Sequence, residues 1–323
     1  MIKYVLNKFI HLVVTLFVLS FIVFTVSHLA PGDPLRAYFG ESSERLSHKQ
    51  REIAIEELGL NEPLLIQYKT WIENALKGDL GESYKYKTPV SDVIEGVYVN
   101  TIILTGSSFV IIFIGALAFG ILCAMNEGKF IDKLLYQIGT AMNCIPSFWI
   151  SLIVILIFSV NLKLLPSGGV YDIGYEQSIL NRIIHLILPL FVMVAGHIWY
   201  YAFFVRNKLL EELKEDYVLL AKTMGFSNKE IVFKYCIRNI MSSYITLMSM
   251  SLPHILTGAY IIEYIFSYPG LGNLSFESAK FHDYNLLMTL CIITGFVVVL
   301  SSFISDILNI VIDPRMRNLE MSE

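Results

Sequence analysis

Six stretches of this chain contain no Asp, Glu, Lys or Arg: residues 9–30, 101–126, 134–162, 183–205, 239–262 and 284–305. Each reaches the roughly 20 residues that a helix needs to cross about 30 Å of hydrocarbon. A backbone in lipid finds no water, so such segments must satisfy their own N–H and C=O groups as helices. The fold class follows: an all-α polytopic membrane protein with six transmembrane helices. Pro146, Pro189 and Pro253 interrupt three of the runs, where kinks are expected. Composition agrees, since only 16% of the 323 residues are charged and mean hydropathy is +0.60, against about 25% charged residues in a soluble domain. The net charge of -4 gives nucleic acid nothing to bind.

Lys3 and Lys8 make a basic start, but run 9–30 exceeds the apolar core of a signal peptide, about 7–15 residues, and Pro31 follows it as a poor cleavage site. The run reads as a retained first span. Cys123, Cys144, Cys236 and Cys291 sit in apolar runs or in the loop at 206–239, as small apolar fillers rather than a disulfide framework.

Basic residues set the orientation. Lys3 and Lys8, Lys129 and Lys133, the seven Lys and Arg from Arg206 to Arg238, and Arg315 with Arg317 fall on alternate sides from the poorer loops holding Lys163, Arg182 and Lys280. Both termini are therefore expected in the cytoplasm, and residues 31–100 outside. That extracytoplasmic segment, between the first and second spans, carries helical stretches at 47–58 and 64–77 broken by Pro63, Gly78 and Gly81, so a folded cap is expected. The organisation is then 1–30 (cytoplasmic N-terminus and first span), 31–100 (outer segment), 101–312 (permease core with a cytoplasmic loop at 206–239) and 313–323 (cytoplasmic tail).

The chain lacks G-x-x-x-x-G-K-[ST], H-E-x-x-H, C-x-x-C and any hydrolase elbow. It is not expected to be an enzyme, to hydrolyse ATP or to hold a cofactor, and no catalytic or metal-ligating residue is assigned. The loop at 206–239 is helix-patterned. Tyr217, Leu220 and Ala221 are expected on one helical face, continued by Met224 and Phe226. Gly225 stops the helix, and Ser227 with Glu230 forms a capping box for the next. Such a knob can enter a groove on another protein, or be an ordinary amphipathic surface loop.

At this loop the sequence resembles a known family. Ala221 to Gly225 matches the A-x-x-x-G core of the EAA loop of ABC-importer permeases. The string D-Y-V-L-L-A-K-T-M-G-F-S, with Arg238-Asn239, is similar to the first-permease (B-type) subunit of the dipeptide/oligopeptide/nickel family. The likeness continues through L-A-P-G-D-P at 29–34, L-G-L-N-E-P-L-L-I-Q-Y at 58–68, G-D-L-G-E-S at 78–83, I-P-S-F-W at 145–149, L-P-S-G-G at 165–169, E-Y-I-F-S-Y-P-G-L-G at 263–272 and D-P-R-M-R at 313–317. Thr223, Ser242-Ser243 and Asn285 depart from it, standing where the family usually has Ala, Pro and Pro.

The resemblance implies half of an import path in the bacterial cytoplasmic membrane. A second permease subunit would complete it. Two ATPase subunits carrying ATP-Mg would drive it, and an extracytoplasmic binding protein would deliver the solute. Asp216, Tyr217, Ala221, Gly225 and Phe226 would contact an ATPase, with Tyr217 and Phe226 as apolar anchors. Glu263, Pro269, Gly270 and Gly272 would form an outer gate or docking turn, although Glu263 also suits a local interfacial pairing. Asp306 could pair with a loop Lys or Arg. Of the histidines in spans, His197 and His254, with Trp199, are candidates to line the path; hydrogen bonding between helices is the alternative for these and for His185. Dipeptides, oligopeptides, nickel and metallophore complexes all remain open as cargo. An ion-gradient-driven secondary transporter would need buried ionisable groups at mid-span and related halves, and a receptor would need a signalling domain; neither pattern is evident.

Overall fold

The computed structural model describes residues 2–29, 35, 39–57, 59–83 and 85–312. The motif at 313–317, most of that at 29–34 and the tail at 313–323 lie outside them. Two units are resolved, and each is described by itself: Ile102–Tyr268 with the chain from Ser301, and Ile2–Thr101 with Pro269–Leu300.

The second unit begins with α1 (Ile2–Leu29), followed by α2 (His48–Glu57), α3 (Leu64–Leu76), a two-residue hairpin of β1 (Glu82–Ser83) and β2 (Thr88–Pro89), and α4 (Val90–Glu95). Over its described residues the segment at 31–100 is thus folded, and helices form at both stretches where the sequence placed them. Ser47 and Gln50 cap α2 reciprocally: Ser47 N–H donates to Gln50 Oε1 at 3.0 Å, and Gln50 N–H donates to Ser47 Oγ at 3.4 Å. Tyr68 of α3 is buried against α1. Its ring meets Phe17, Phe21 and Phe24 edge-on at 5.1–5.8 Å, and its hydroxyl shares a 2.7 Å hydrogen bond with Ser20. Two further helices belong here, α12 (Leu271–Phe281) and the first part of α13 (Tyr284–Ile312). Buried Asp283 caps α13 by accepting from Leu286 N–H at 3.3 Å, and also accepts from Ser83 Oγ at 2.5 Å. Asn285, in the place of the family's proline, donates to the Glu82 carbonyl at 3.1 Å.

The first unit is built on α5 (Tyr98–Met125), α6 (Phe130–Cys144), α7 (Ser147–Val154), α8 (Ile179–Glu212), α9 (Asp216–Thr223), α10 (Asn228–Ile231) and α11 (Ile237–Ile265). α7 runs on through π-helical turns over Ile155–Asn161, and α10 joins α11 through another over Val232–Cys236. The core lies among α5, α8 and α11: Ile112, Phe113, Val192, Met193, Val205, Tyr244, Ile255 and Ile262 are almost fully buried. Tyr244, which would otherwise bury an unsatisfied hydroxyl, donates to the Phe113 carbonyl at 2.6 Å.

Among the described residues, five helices are long and apolar enough to cross a membrane: Val5–Leu29, Val90–Met125, Ile179–Glu212, Asn228–Ile265 and Tyr284–Leu308. The third uncharged run, 134–162, where a kink was expected at Pro146, is a bent pair that makes a sixth span only if its two legs are taken together. Its legs, Phe130–Cys144 and Ser147–Asn161, meet at 100°. Ile145 takes extended angles (φ -91, ψ 121), because the ring of Pro146 crowds an α-helical residue before it. Each leg of 15 residues rises only about 22 Å, short of the hydrocarbon thickness. Pro189 and Pro253, by contrast, lie inside unbroken helices. Outer faces stay apolar: Phe17, Val26, Ile114 and Leu152 are all more than half exposed, as suits side chains that meet lipid tails.

Candidate functional site

The loop after α8 folds as its sequence dictates. α9 ends in two bonds, from Phe226 N–H to the Ala221 carbonyl (3.1 Å) and from Gly225 N–H to the Lys222 carbonyl (3.0 Å). That is a Schellman ending with Gly225 at φ +86, a region costly for residues that carry a Cβ. Ser227 then caps α10 as expected: its N–H donates to Glu230 Oε2 at 2.8 Å, and Glu230 N–H returns to Ser227 Oγ at 3.3 Å.

The single apolar face expected of Tyr217, Leu220 and Ala221 is divided. Ala221 and Val218 are buried, and Tyr217 and Phe226 turn toward the core. Tyr217 donates its hydroxyl to Glu212 Oε2 at 2.5 Å and lies 3.5 Å from Cys236 Sγ. Burial, and then the hydrogen bond to the Glu212 carboxylate, push the phenol well above its ordinary pKa. Asn239 donates to the same carboxylate oxygen at 3.0 Å. A single carboxylate therefore fastens α9 to the end of α8 and the start of α11. Phe226 meets Tyr235 edge-on at 6.0 Å. The side chains that protrude are Leu219, Leu220, Met224 and Phe233, each at least 60% exposed, together with Asp216 and the bend at Gly225. Tyr217 and Phe226, expected as outward anchors, are thus half-buried and packed partly against the core.

The proposed outer turn crosses the division between the units at Tyr268 and Pro269. On the first side, Glu263 is fully buried and its carbonyl accepts from Tyr268 N–H at 2.8 Å. Burial, helped by the charge of Glu263, pushes the Tyr268 phenol up to about 12. On the second side, Pro269 offers its carbonyl to Asn100 Nδ2 at 2.8 Å, Gly270 precedes α12, and Gly272 is buried in its first turn.

A hollow of about 530 Å³ opens in the first unit, lined by Gly196, His197, Tyr200 and Tyr201 of α8 and by Leu247, Met250, Ser251 and His254 of α11. These are stripes at helical spacing on two facing helices. Trp199 points elsewhere: it is 9% exposed and stacks on Phe119 at 5.5 Å, so it belongs to the core and not to the hollow. His185 is also structural in placement, with Nδ1 2.9 Å from the Gly168 carbonyl and Nε2 3.4 Å from Asp172. Among the described residues no three of His, Cys, Asp and Glu come together as a metal-binding group.

The family model described as binding-protein-dependent transport system inner membrane component matches residues 116–318. The chain belongs to that family. The companion model for the N-terminal part of such inner membrane components matches residues 1–105. The chain is 34% identical to the oligopeptide transport system permease protein AppB of Bacillus subtilis, over 98% of this chain and 99% of that one. It is 30% identical to the metal-staphylopine import system permease protein CntB of Staphylococcus aureus (98% and 99% covered) and 31% identical to the glutathione transport system permease protein GsiC of Escherichia coli (98% and 99% covered). Among solved structures, an inward-facing form of the MetNI methionine ABC transporter superposes with a TM-score of 0.55 at 17% identity, covering 68% of this chain and 96% of that one, a likeness of fold.

This inner membrane component is therefore a permease subunit of an ABC importer. Its relatives are transport permeases and not enzymes, and the reading as an ion-gradient-driven transporter is set aside.

Proposed function

We propose that α9 and the bend at Gly225 form the surface on which an ATPase subunit docks, and that the hollow between α8 and α11 is this chain's share of the solute path. One observation carries the docking role: Leu219, Leu220 and Met224 stand more than 60% exposed on a short helix whose opposite side is fixed to the core. Three large apolar side chains on a fixed knob suit a groove in a partner. Asp216 and Gly225 shape its rim, while Ala221, Tyr217 and Phe226 act through position. The path role rests on the polar groups of His197, Tyr200 and His254, which would be costly against lipid tails.

In the full assembly, two ATPases holding ATP-Mg bind at the cytoplasmic side, a second permease completes the path, and a binding protein delivers solute outside. Both termini then face the cytoplasm of a bacterium, and residues 31–100 face outward with the turn of Glu263, Pro269, Gly270 and Gly272 as gate or docking element. The cargo is a peptide or a metal chelate, in keeping with the oligopeptide, glutathione and metal-staphylopine systems of the relatives. The test is the double variant Leu220→Asp/Met224→Asp in the reconstituted importer. It should reach the membrane with an unchanged unfolding midpoint, yet lose co-purification with the ATPases and ATP-driven uptake. Normal uptake by that variant refutes the docking surface.

A further inference from the structure

A buried imidazole meets the loop that joins α7 and its π-helical turns to α8, residues 162–178. His185, in the second turn of α8, is only 5% exposed. Its Nδ1 lies 2.9 Å from the Gly168 carbonyl, which can only accept, so Nδ1 carries the proton of the neutral ring. Nε2 is then an acceptor. Among the described residues it is buried with no hydrogen-bond partner, and what stands before it is a second acceptor, Asp172 Oδ1, at 3.4 Å. Asn181 aims that carboxylate: its Nδ2 donates to Asp172 Oδ2 at 2.8 Å, and its Oδ1 accepts from the Asp172 N–H at 2.8 Å. The first of these bonds holds the Asp172 carboxyl below the usual carboxylate range, so it stays charged.

A buried acceptor set against a carboxylate is unfavourable. One proton on Nε2 turns the same geometry into a charge-assisted pair. Imidazole is the side chain suited to take up that proton between pH 5 and 8. A metal ion could fill the same place, but among the described residues no third His, Cys, Asp or Glu joins these two. The inner side of the loop is fixed elsewhere: Gly169 N–H donates to the Phe266 carbonyl at the end of α11 at 2.9 Å, and Val170 is buried in the core. The other ionisable groups on these elements have their own engagements. Arg182 Nε donates to the Glu176 carbonyl at 3.1 Å, Glu176 Oε1 accepts from Gly174 N–H at 3.0 Å, and the charge of Glu263 acts on buried Tyr268. Lys163 stands at the start of the loop.

We propose that His185 and Asp172 form a proton-operated latch: in acid medium the imidazolium pairs with the carboxylate and fastens residues 162–178 to α8, and as pH rises the pair is lost and the loop opens more readily. The stabilisation belongs to the protonated ring, so it is present at low pH and fades toward alkaline pH. In the orientation proposed above this loop meets the medium outside; that exposure rests on the earlier reading, and the latch itself does not.

The test reads how often the loop opens, from thiol labelling of the full-length protein in detergent at pH 5.5 and pH 8. The background carries serine at the exposed Cys144 and Cys291. Val170→Cys, at a position 6% exposed, reacts only when the loop lifts, whereas Ile173→Cys, at a position 98% exposed, reports the intrinsic reactivity of a thiol at the same pH. The ratio of the two rates should rise about tenfold from pH 5.5 to pH 8, the scale of one hydrogen bond to a charged group. Asp172→Asn, which removes the charge at an exposed position, should make the ratio the same at both pH values, and His185→Phe should do likewise. A ratio independent of pH in the parent protein, one that rises toward acid, or a pH dependence that survives Asp172→Asn would each overturn the latch. Sidedness is read separately, with a membrane-impermeant maleimide on right-side-out vesicles. Labelling of Ile173→Cys there supports control by the outside medium, and no labelling removes that placement while leaving the rate ratio to decide the latch.

Discussion

Replacing Asp132 with alanine should destabilise the permease core more than any surface substitution. Asp132 sits in the first turn of α6 at 3% exposure. It receives both arms of the Arg206 guanidinium, Nε to Oδ1 at 2.7 Å and Nη2 to Oδ2 at 2.8 Å. The Gly128 N–H adds a third bond, to Oδ2 at 2.9 Å. A bidentate fork of this kind joins the start of α6 to α8 with fixed geometry. Removing the carboxylate strands a guanidinium whose side chain is only 18% exposed and leaves one backbone donor unmet. Breaking a buried pair from one side costs about 3–5 kcal/mol, most of it the penalty of the orphaned charge. With an unfolding entropy of about 2 cal/mol/K per residue, a loss of about 4 kcal/mol over a chain of this size lowers the midpoint by roughly 6 °C. The double variant Asp132→Ala/Arg206→Ala removes the orphan as well and should recover at least half of that loss.

The chain carries its own reporters for this measurement. Cys123 and Cys236 are buried, whereas Cys144 and Cys291 are exposed. In a background with serine at 144 and 291, a thiol-reactive dye in detergent reports the opening of the core on heating. A midpoint for Asp132→Ala within a degree of wild type would refute the reasoning. A double variant no more stable than the single one would show that the guanidinium was never left costly.

Glu212→Leu should separate binding from drive: ATPase subunits still associate, but uptake per ATP hydrolysed falls severalfold, while Glu212→Gln, which keeps an acceptor for Tyr217 and Asn239, stays near wild type. Gly168→Ala should lower the unfolding midpoint by several degrees, since its Cβ would fall among the Phe266 backbone atoms, 2.9 Å from the carbonyl carbon; an unchanged midpoint would show that this loop yields without cost. The Lys85–Tyr86–Glu277 cluster gives a pH dependence. Burial opposes charge on Glu277, but hydrogen bonds from Lys85 and Tyr86 hold its carboxyl below the ordinary value. A depressed folded-state pKa stabilises above the unfolded value, near 4.3, and that stability is lost as pH falls through the folded value. The midpoint difference between wild type and Glu277→Gln should therefore be full at pH 7 and shrink as pH falls through the depressed folded value; a pH-independent difference would exclude the charged pair as its source.

What could be read in advance was local, and what could not was relational. The capping box at Ser227 and Glu230 and the glycine ending at Gly225 involve residues within a few positions of each other, and both formed as expected. The helices at 47–58 and 64–77 did so for the same reason. A kink was expected at Pro146, Pro189 and Pro253 alike; that Pro146 would break its run by 100° while the other two leave their helices continuous was not legible, because the three are the same residue in similar runs. Surrounding helices decide whether a freed carbonyl is re-satisfied in place. The inward turn of Tyr217 was hidden for another reason. Tyr217, Val218, Leu219, Leu220 and Ala221 make α9 apolar on every side, so no periodicity says which side faces the core. Trp199 misled in the same way, as an amphipathic ring in an apolar helix. The pairs Asp132–Arg206 and Ser83–Asp283, separated by 74 and 200 residues, leave no local pattern at all.

One of these hidden contacts bears on how drive could reach the solute. Glu212 holds Tyr217 of α9 and Asn239 at the start of α11, and it is itself the last residue of α8. His197 lies fifteen residues before Glu212 on α8 (212 − 197), and His254 lies fifteen residues after Asn239 on α11 (254 − 239). At 1.5 Å per residue both separations are about 22 Å. The two histidines of the hollow thus sit at matched heights above one fastening point. The stretch of α8 between them contains no proline, and that of α11 meets Pro253 only at its far end. Helices of this kind tilt or slide more readily than they compress, so a push on α9 is delivered to both walls of the hollow together. For nucleotide to drive transport, the docked ATPase must favour one arrangement of those walls over the other. On the proposed docking role, the carboxylate shared by Tyr217 and Asn239 links α9 to both walls of the hollow. That is why its loss should uncouple hydrolysis from uptake without releasing the ATPase.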